Sequence, residues 1–146
     1  MQVEIKIDES CDKPKIVIYT KEITREVTEL ANRLSNNSSK VITGVKDEKI
    51  YLLNPEKIYR FYSEDKKVYA DCVGGIYIVK MRLYEIEDIF ANSSFIRISN
   101  SAIVNFDKVS NLDVAFASSI TLKFNNGKTE FVSRRYIKKI KQYLGL

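Results

Sequence analysis

Five cations crowd the last stretch of this 146-residue chain: Arg134, Arg135, Lys138, Lys139 and Lys141. Arginine presents a planar fork of donors that pairs bidentately with a phosphate or a guanine edge, and lysine supplies a point charge on a flexible stem. Residues 131–140, FVSRRYIKKI, read as a strand running into a helix with Ser133 as its cap. The two arginines therefore fall where a helix N-terminus also favours an anion. A second group, Arg97, Ser99, Asn100 and Ser101, lies where a strand gives way to a loop. Such groups hydrogen-bond phosphate oxygens and base edges. Each group also has a plainer reading. Ser-Asn-Ser is an ordinary turn sequence, and a basic amphipathic helix is an ordinary solvated surface.

The charge distribution favours the nucleic-acid reading. Residues 91–146 carry nine Lys/Arg against three Asp/Glu, whereas residues 1–45 balance and residues 46–90 are net −1. The whole excess of +5 thus sits in the C-terminal third, and a charge so segregated attracts a polyanion. The chain has no histidine. It therefore lacks the commonest general base and the commonest metal ligand, and no enzymatic activity, metal or cofactor is expected. The two cysteines, Cys11 and Cys72, have no companion ligands nearby and are expected to be free thiols in a reducing compartment. No apolar run approaches the roughly 18 residues of a membrane span and no signal peptide is visible, so a soluble, cytoplasmic protein is expected.

The elements that would position these groups are mostly strands, in keeping with nine Tyr and seven Phe among many Ile and Val. Val3, Ile5 and Ile7 alternate with polar residues as one strand, and 16–19 reads as a second. Thr20 is the candidate N-cap for a helix over 21–35, with Glu22 in its first turn. Its apolar residues Ile23, Val27, Leu30 and Leu34 draw a narrow stripe. The polar run 36–39 is the candidate boundary between a leader, 1–39, and a main domain, 40–146. Strands are predicted over 50–53, 58–62, 68–73, 95–98, 109–115, 120–124 and 129–132. Gly74-Gly75 and Asn126-Gly127 supply hairpin turns. A short helix is predicted over 83–90, and a last helix over 134–144 with Ile137, Ile140 and Leu144 inward.

Taken together, the two segments resemble the LytTR DNA-binding domain of bacterial response regulators. The resemblance spans 46–146. It is carried by FIRISNSAIVNFDKV at 95–109 and FVSRRYIKKI at 131–140, with KIYRFYSEDKKVYA at 57–70 and YEIEDIF at 84–90 in the expected order. It implies a mainly β, α+β fold with an elongated multi-stranded sheet and no helix-turn-helix. It also implies loops inserted into successive major grooves of double-stranded DNA. On this resemblance Asn100 is the loop asparagine, and Arg135, with Arg134 beside it, is the arginine at the last strand-to-helix junction. The third contact falls in the loop 63–67. Some relatives carry a histidine there, and here Lys66 or Lys67 has to substitute. Lys138, Lys139 and Lys141 read as phosphate contacts. The leader is too short for a receiver domain, so the chain resembles the stand-alone type of regulator. It is expected to be a homodimer joined through Ile23, Val27, Leu30 and Leu34, and a regulatory membrane-protein partner is a further implication. Two rivals remain at this point. One is an RNA- or single-strand-binding sheet, which would need exposed aromatics such as Tyr59, Tyr62, Tyr69 and Tyr77 for stacking. The other is a protein-interaction module using the basic helix.

Overall fold

The computed structural model describes residues 1–35, 41–116 and 119–146. The chain divides into two units, Met1–Ser39 and Lys40–Leu146. The linker expected at 36–39 lies outside the described residues.

Among its described residues the first unit holds one helix, α1 (Arg25–Ser35), and no strand. The two strands expected before it do not form. Val3, Ile5 and Ile7 are each more than four-fifths exposed, and Ile16 and Val17 are more than half exposed. Alternation marks a face, but a strand also needs a neighbour to satisfy its backbone, and an isolated two-stranded ribbon is marginal in water. The helix starts four residues later than expected because Thr24, not Thr20, caps it. The Val27 N–H donates to Thr24 Oγ1 at 3.2 Å, and Glu26 stands in the first turn. The Thr20 hydroxyl instead donates to the Glu22 carbonyl. Ile23 thus precedes the helix, and the stripe on α1 shortens to Val27, Leu30 and Leu34.

The second unit is built on a seven-stranded antiparallel sheet. In chain order its strands are β1 (Ile42–Lys46), β2 (Lys49–Leu53), β3 (Ile58–Glu64), β4 (Lys67–Cys72), β5 (Gly75–Val79), β6 (Phe95–Ser99) and β7 (Ala102–Asn105). They lie side by side as β2-β1-β5-β4-β3-β7-β6. The short helix α2 (Leu83–Ile89) joins β5 to β6. A smaller sheet of β8 (Val109–Phe116), β9 (Ser119–Phe124) and β10 (Thr129–Val132) follows, ordered β10-β9-β8, and then α3 (Arg134–Leu144). The mainly β, α+β architecture expected from the sequence is therefore present.

Two cores sandwich the large sheet, because successive strand side chains point to opposite faces. On one face Phe61, Ala70, Val79 and Ile103 pack with Leu83 and Ile86 of α2. Phe61, Phe90 and Phe95 close that core as a ring cluster, with Phe90 and Phe95 stacked 4.3 Å apart. On the other face Ile98, Ala102 and Val104 pack with Ile120, Leu122 and Phe124 of the small sheet, and with Ile137 and Ile140 of α3. A polar clamp crosses between the sheets. Arg60 on β3 pairs with Asp71 on β4 at 3.3 Å and with Glu130 on β10. Lys128 also approaches Asp71, at 3.7 Å.

Several hairpins of the large sheet turn on two residues. Asp47-Glu48 and Asp65-Lys66 both have positive φ at each position, 51° and 64° in the first and 50° and 64° in the second. These are type I′ turns made without glycine. Another hairpin turns at Val73-Gly74, one residue earlier than expected, and Gly75 (φ 138°) opens β5. Both cysteines are free. Burial, with a smaller contribution from Asp71, pushes the Cys72 thiol up to about 11, so it stays protonated and unreactive near neutral pH.

Candidate nucleic-acid interface

Strand register brings the separate sequence signals to one end of the large sheet. β3 runs up to Glu64 and turns through Asp65-Lys66 into β4. β7 lies antiparallel to β3 with Tyr62 opposite Ala102, so the Asn100-Ser101 turn that opens β7 stands beside the tip of the β3–β4 hairpin. The Ser63 N–H donates to the Ser101 carbonyl at 2.9 Å and ties the two together. Val79, the last residue of β5, pairs with Val68, which sends the β5–α2 junction out at the same end. The first turn of α3 arrives there too. The Ser133 N–H donates to the Ile98 carbonyl at 2.9 Å, and the Tyr136 hydroxyl donates to Asn100 Oδ1 at 3.2 Å.

An open groove runs across this end. Lys66 and Lys67 line it from the hairpin, Lys80 and Arg82 from the β5–α2 junction, and Arg97 and Asn100 from the β6–β7 turn. Glu64, Asp65 and Glu85 lie along it as well, so it is mixed in charge. Arg97 pairs with Glu87 at 3.2 Å, but the other cations of the groove are uncompensated. Among the described residues, no ion pair recruits Lys66, Lys67, Lys80, Arg82, Arg134, Arg135, Lys138 or Lys139. All eight are exposed. Cations left unpaired on one end of a domain are free to displace the counterions of a phosphate backbone.

Arg97 does not fit the role expected of it. Its side chain is only 14% exposed and its donors turn inward, to the Ser99 carbonyl at 2.6 Å, the Asn100 carbonyl at 2.6 Å and Glu87 at 3.2 Å. The guanidinium is engaged in holding the turn, where β6 bulges between Arg97 and Ser99. Ser99 and Ser101 are likewise engaged with each other, the Ser101 N–H donating to Ser99 Oγ at 3.2 Å. Asn100 itself is exposed.

The α3 cations split into two sets. Arg134, Lys138 and Lys141 share a shallow hollow with Ile137 and Leu146, whereas Arg135 and Lys139, four apart, stack on the neighbouring face. Ser133 occupies the N-cap position, but its hydroxyl makes no cap bond, contrary to expectation. Ile137 and Ile140 are buried as expected, and Leu144 packs partly against the same core. Sequence reasoning missed Lys80, Arg82 and Tyr136. The first two are isolated cations in a strand-to-helix connection, and nothing local marks them. Tyr136 looked like one more residue of an amphipathic helix, and only tertiary contact reveals its bond to Asn100.

The aromatics of the single-strand rival are mostly occupied. Tyr59 packs edge-on against Phe124, Tyr62 stacks on Tyr69 beneath the Arg60 guanidinium, and Tyr77 meets Tyr51 edge-on. Among the described residues no set of three His, Cys, Asp or Glu side chains is placed to hold a metal ion, and no helix is long and apolar enough to cross a membrane.

Comparison with known proteins agrees with this geometry. An uncharacterised HTH-type transcriptional regulator of Staphylococcus aureus strain NCTC 8325 is 27% identical over 147 residues, covering 100% of this chain and 99% of that one. The sensory transduction protein LytT of Enterococcus faecalis is 30% identical over 100 residues, which span 68% of this chain and 41% of LytT. Among solved structures, the LytTr DNA-binding domain of a Bacillus cereus response regulator superposes with a TM-score of 0.69 at 26% identity, over 73% of this chain and 97% of that domain. The helices here are not arranged as a helix-turn-helix, since five strands separate α2 from α3. The profile of the LytTr DNA-binding domain matches residues 48–145, and with the sheet, turn and helix geometry in agreement this chain belongs to the LytTR DNA-binding family.

Proposed function

We propose that this protein is a transcription regulator that binds duplex DNA in a sequence-specific manner through the end of the large sheet. The observation that carries this reading is the convergence of the β3–β4 turn, the β5–α2 junction, the Asn100-Ser101 turn and the start of α3 at one end, each bringing polar or cationic groups. Asn100 and Arg135 are the base readers, because amide and guanidinium groups match major-groove edges. Lys66, Lys67, Lys80, Arg82, Arg134, Lys138, Lys139 and Lys141 take phosphates, which position without specifying. Arg97, Ser99 and Ser101 hold the turn. The activity is binding, with no catalytic step.

The same reading includes a homodimer on repeated half-sites, joined through the leader. Val27 and Leu30 of α1 are half-buried and Leu34 is 45% exposed, a stripe that a second copy would cover, with Ile23 at its start. Linking two readers raises affinity through effective concentration. Sedimentation of the full chain should give a dimer at tens of micromolar (on the order of micromolar affinity), and Leu30→Asp should give a monomer. A wild-type monomer at that concentration contradicts the dimer.

The test of DNA binding is an anisotropy titration of labelled duplex and single strands across a salt series. Duplex should bind more tightly than either strand alone, with affinity falling steeply as salt rises. In the Lys138→Gln/Lys139→Gln/Lys141→Gln variant the log–log slope should flatten by about 0.9 for each phosphate that is no longer neutralised. Tighter binding to single strands would favour the stacking rival, and an unchanged slope would place these lysines away from the duplex.

A further inference from the structure

One tyrosine of the main domain stands apart from the rest. Tyr19 belongs to the leader, and the other eight of the nine lie in the main domain. Seven of those eight are engaged. Tyr51 meets Tyr77, Tyr59 meets Phe124, Tyr62 stacks on Tyr69 and Tyr143 meets Phe106, while the Tyr136 hydroxyl donates to Asn100. Among the described residues Tyr84 has neither a ring partner nor a hydrogen bond from its hydroxyl, and it is 65% exposed. Its backbone is nevertheless fixed. Leu83 and Ile86 are buried in the first core, and the Arg82 N–H donates to the Glu85 carboxylate at 3.3 Å. The side of α2 that packs on the sheet therefore turns Tyr84 outward.

Tyr84 lines the open groove together with Lys66, Lys67, Lys80 and Arg82, and no ion pair among the described residues recruits those four cations. A tyrosine joins an apolar ring to a polar tip. Bare phosphate needs cations alone, whereas cations set around an apolar ring with a free hydroxyl match a chain in which phosphate alternates with sugar. We infer that Tyr84 is a backbone contact of the bound duplex, its hydroxyl donating to a phosphate oxygen and its ring packing on the adjacent deoxyribose. The inference rests on the reading of this end of the sheet as the DNA-binding surface. Tyrosine is among the neutral side chains that bond phosphate oxygens, and such contacts fix the position of the duplex without reading sequence. An uncharged contact also releases no counterion, which separates Tyr84 from the lysines around it.

Two measurements on the full chain test this. In the first, Tyr84→Phe and Tyr84→Ala are titrated with a selected and a scrambled duplex across a salt series. Tyr84→Phe should weaken both duplexes about ten-fold, the size of a lost hydrogen bond to a charged group. Tyr84→Ala should weaken them about three-fold further as the ring contact goes. The log–log salt slope should keep its wild-type value in both variants. Wild-type affinity in Tyr84→Phe, a flattened slope, or a loss confined to the selected duplex overturns the inference, the last because it would make Tyr84 a base contact. In the second, the wild type is iodinated with and without duplex and the modified tyrosines are mapped by mass spectrometry. Bound duplex should protect Tyr84. Equal modification of Tyr84 while anisotropy shows the chain to be bound overturns the inference and leaves the DNA-binding reading standing. If no duplex binds at all, that reading fails and the inference falls with it.

Discussion

Arg135→Ala is expected to weaken binding to a cognate duplex by about 1–3 kcal/mol, the range for removing a bidentate pair to a base. Binding to a scrambled duplex should fall far less. The position of the side chain is the reason. Arg135 is exposed in the first turn of α3, and that turn is tied to the same end of the large sheet as Asn100 by the Ser133–Ile98 backbone bond and by Tyr136. No carboxylate engages it among the described residues. Titrations of the variant against both duplexes at one salt concentration check this, and equal weakening on the two would reduce Arg135 to a phosphate contact. Lys139, four residues on, provides the control: Lys139→Gln should weaken both duplexes alike.

The second large effect is on stability. Arg60→Met should destabilise the main domain by about 3–5 kcal/mol, the usual result of leaving a buried charge without its partner. Asp71 is only 3% exposed and would be deprived of its 3.3 Å partner. Glu130 would be stranded as well, and the strap between the two sheets would open. Lys128 remains 3.7 Å from Asp71 but is itself 60% exposed, so it offsets only part of the effect. Urea denaturation followed by circular dichroism measures the change. Adding Asp71→Asn and Glu130→Gln to Arg60→Met should restore part of the stability, because the stranded charges are then gone. A fall below about 1 kcal/mol for Arg60→Met, typical of a surface pair, would show that the clamp is solvated.

Local pattern predicted structure best where it coincides with tertiary need. β3, β4, β6, β9, β10 and both helices of the main domain lie within a few residues of their expected positions, and α3 matches at both ends. β1 escaped notice because Gly44 interrupts it. The structure needs that glycine, since a Cβ there would stand 2.6 Å from Tyr77 Cβ and 2.9 Å from Leu53 Cδ1. The following turn, Asp47-Glu48, adopts a left-handed conformation without the glycine or asparagine that normally announces it. β7 escaped for a different reason. Ala102, Ile103, Val104 and Asn105 are all buried, because the strand lies between the two cores, so it shows no alternation. Asn105, which looked like part of the binding motif, turns inward. Its amide donates to the Ile58 carbonyl at 2.9 Å and accepts from Ser94 and from the Asp107 N–H.

The leader shows the opposite failure. Val3, Ile5 and Ile7 alternate cleanly, yet pairing depends on a partner strand that alternation cannot supply. The candidate interface was legible in residue type for Asn100 and Arg135. The inward use of Arg97, and the places of Lys80, Arg82 and Tyr136, depend on strand order and register, which bring residues 63, 80, 100 and 133 to one end of the sheet.

The most direct test of the central claim is selection from a random duplex library by the full chain at physiological salt, with recovered sequences read after several rounds. Enrichment of a short motif is predicted, bound more tightly than scrambled duplex by at least about 10³-fold, the low end for specific DNA binders. Recovery of an unenriched pool, with motif-free duplex and single strands bound equally well, would contradict it.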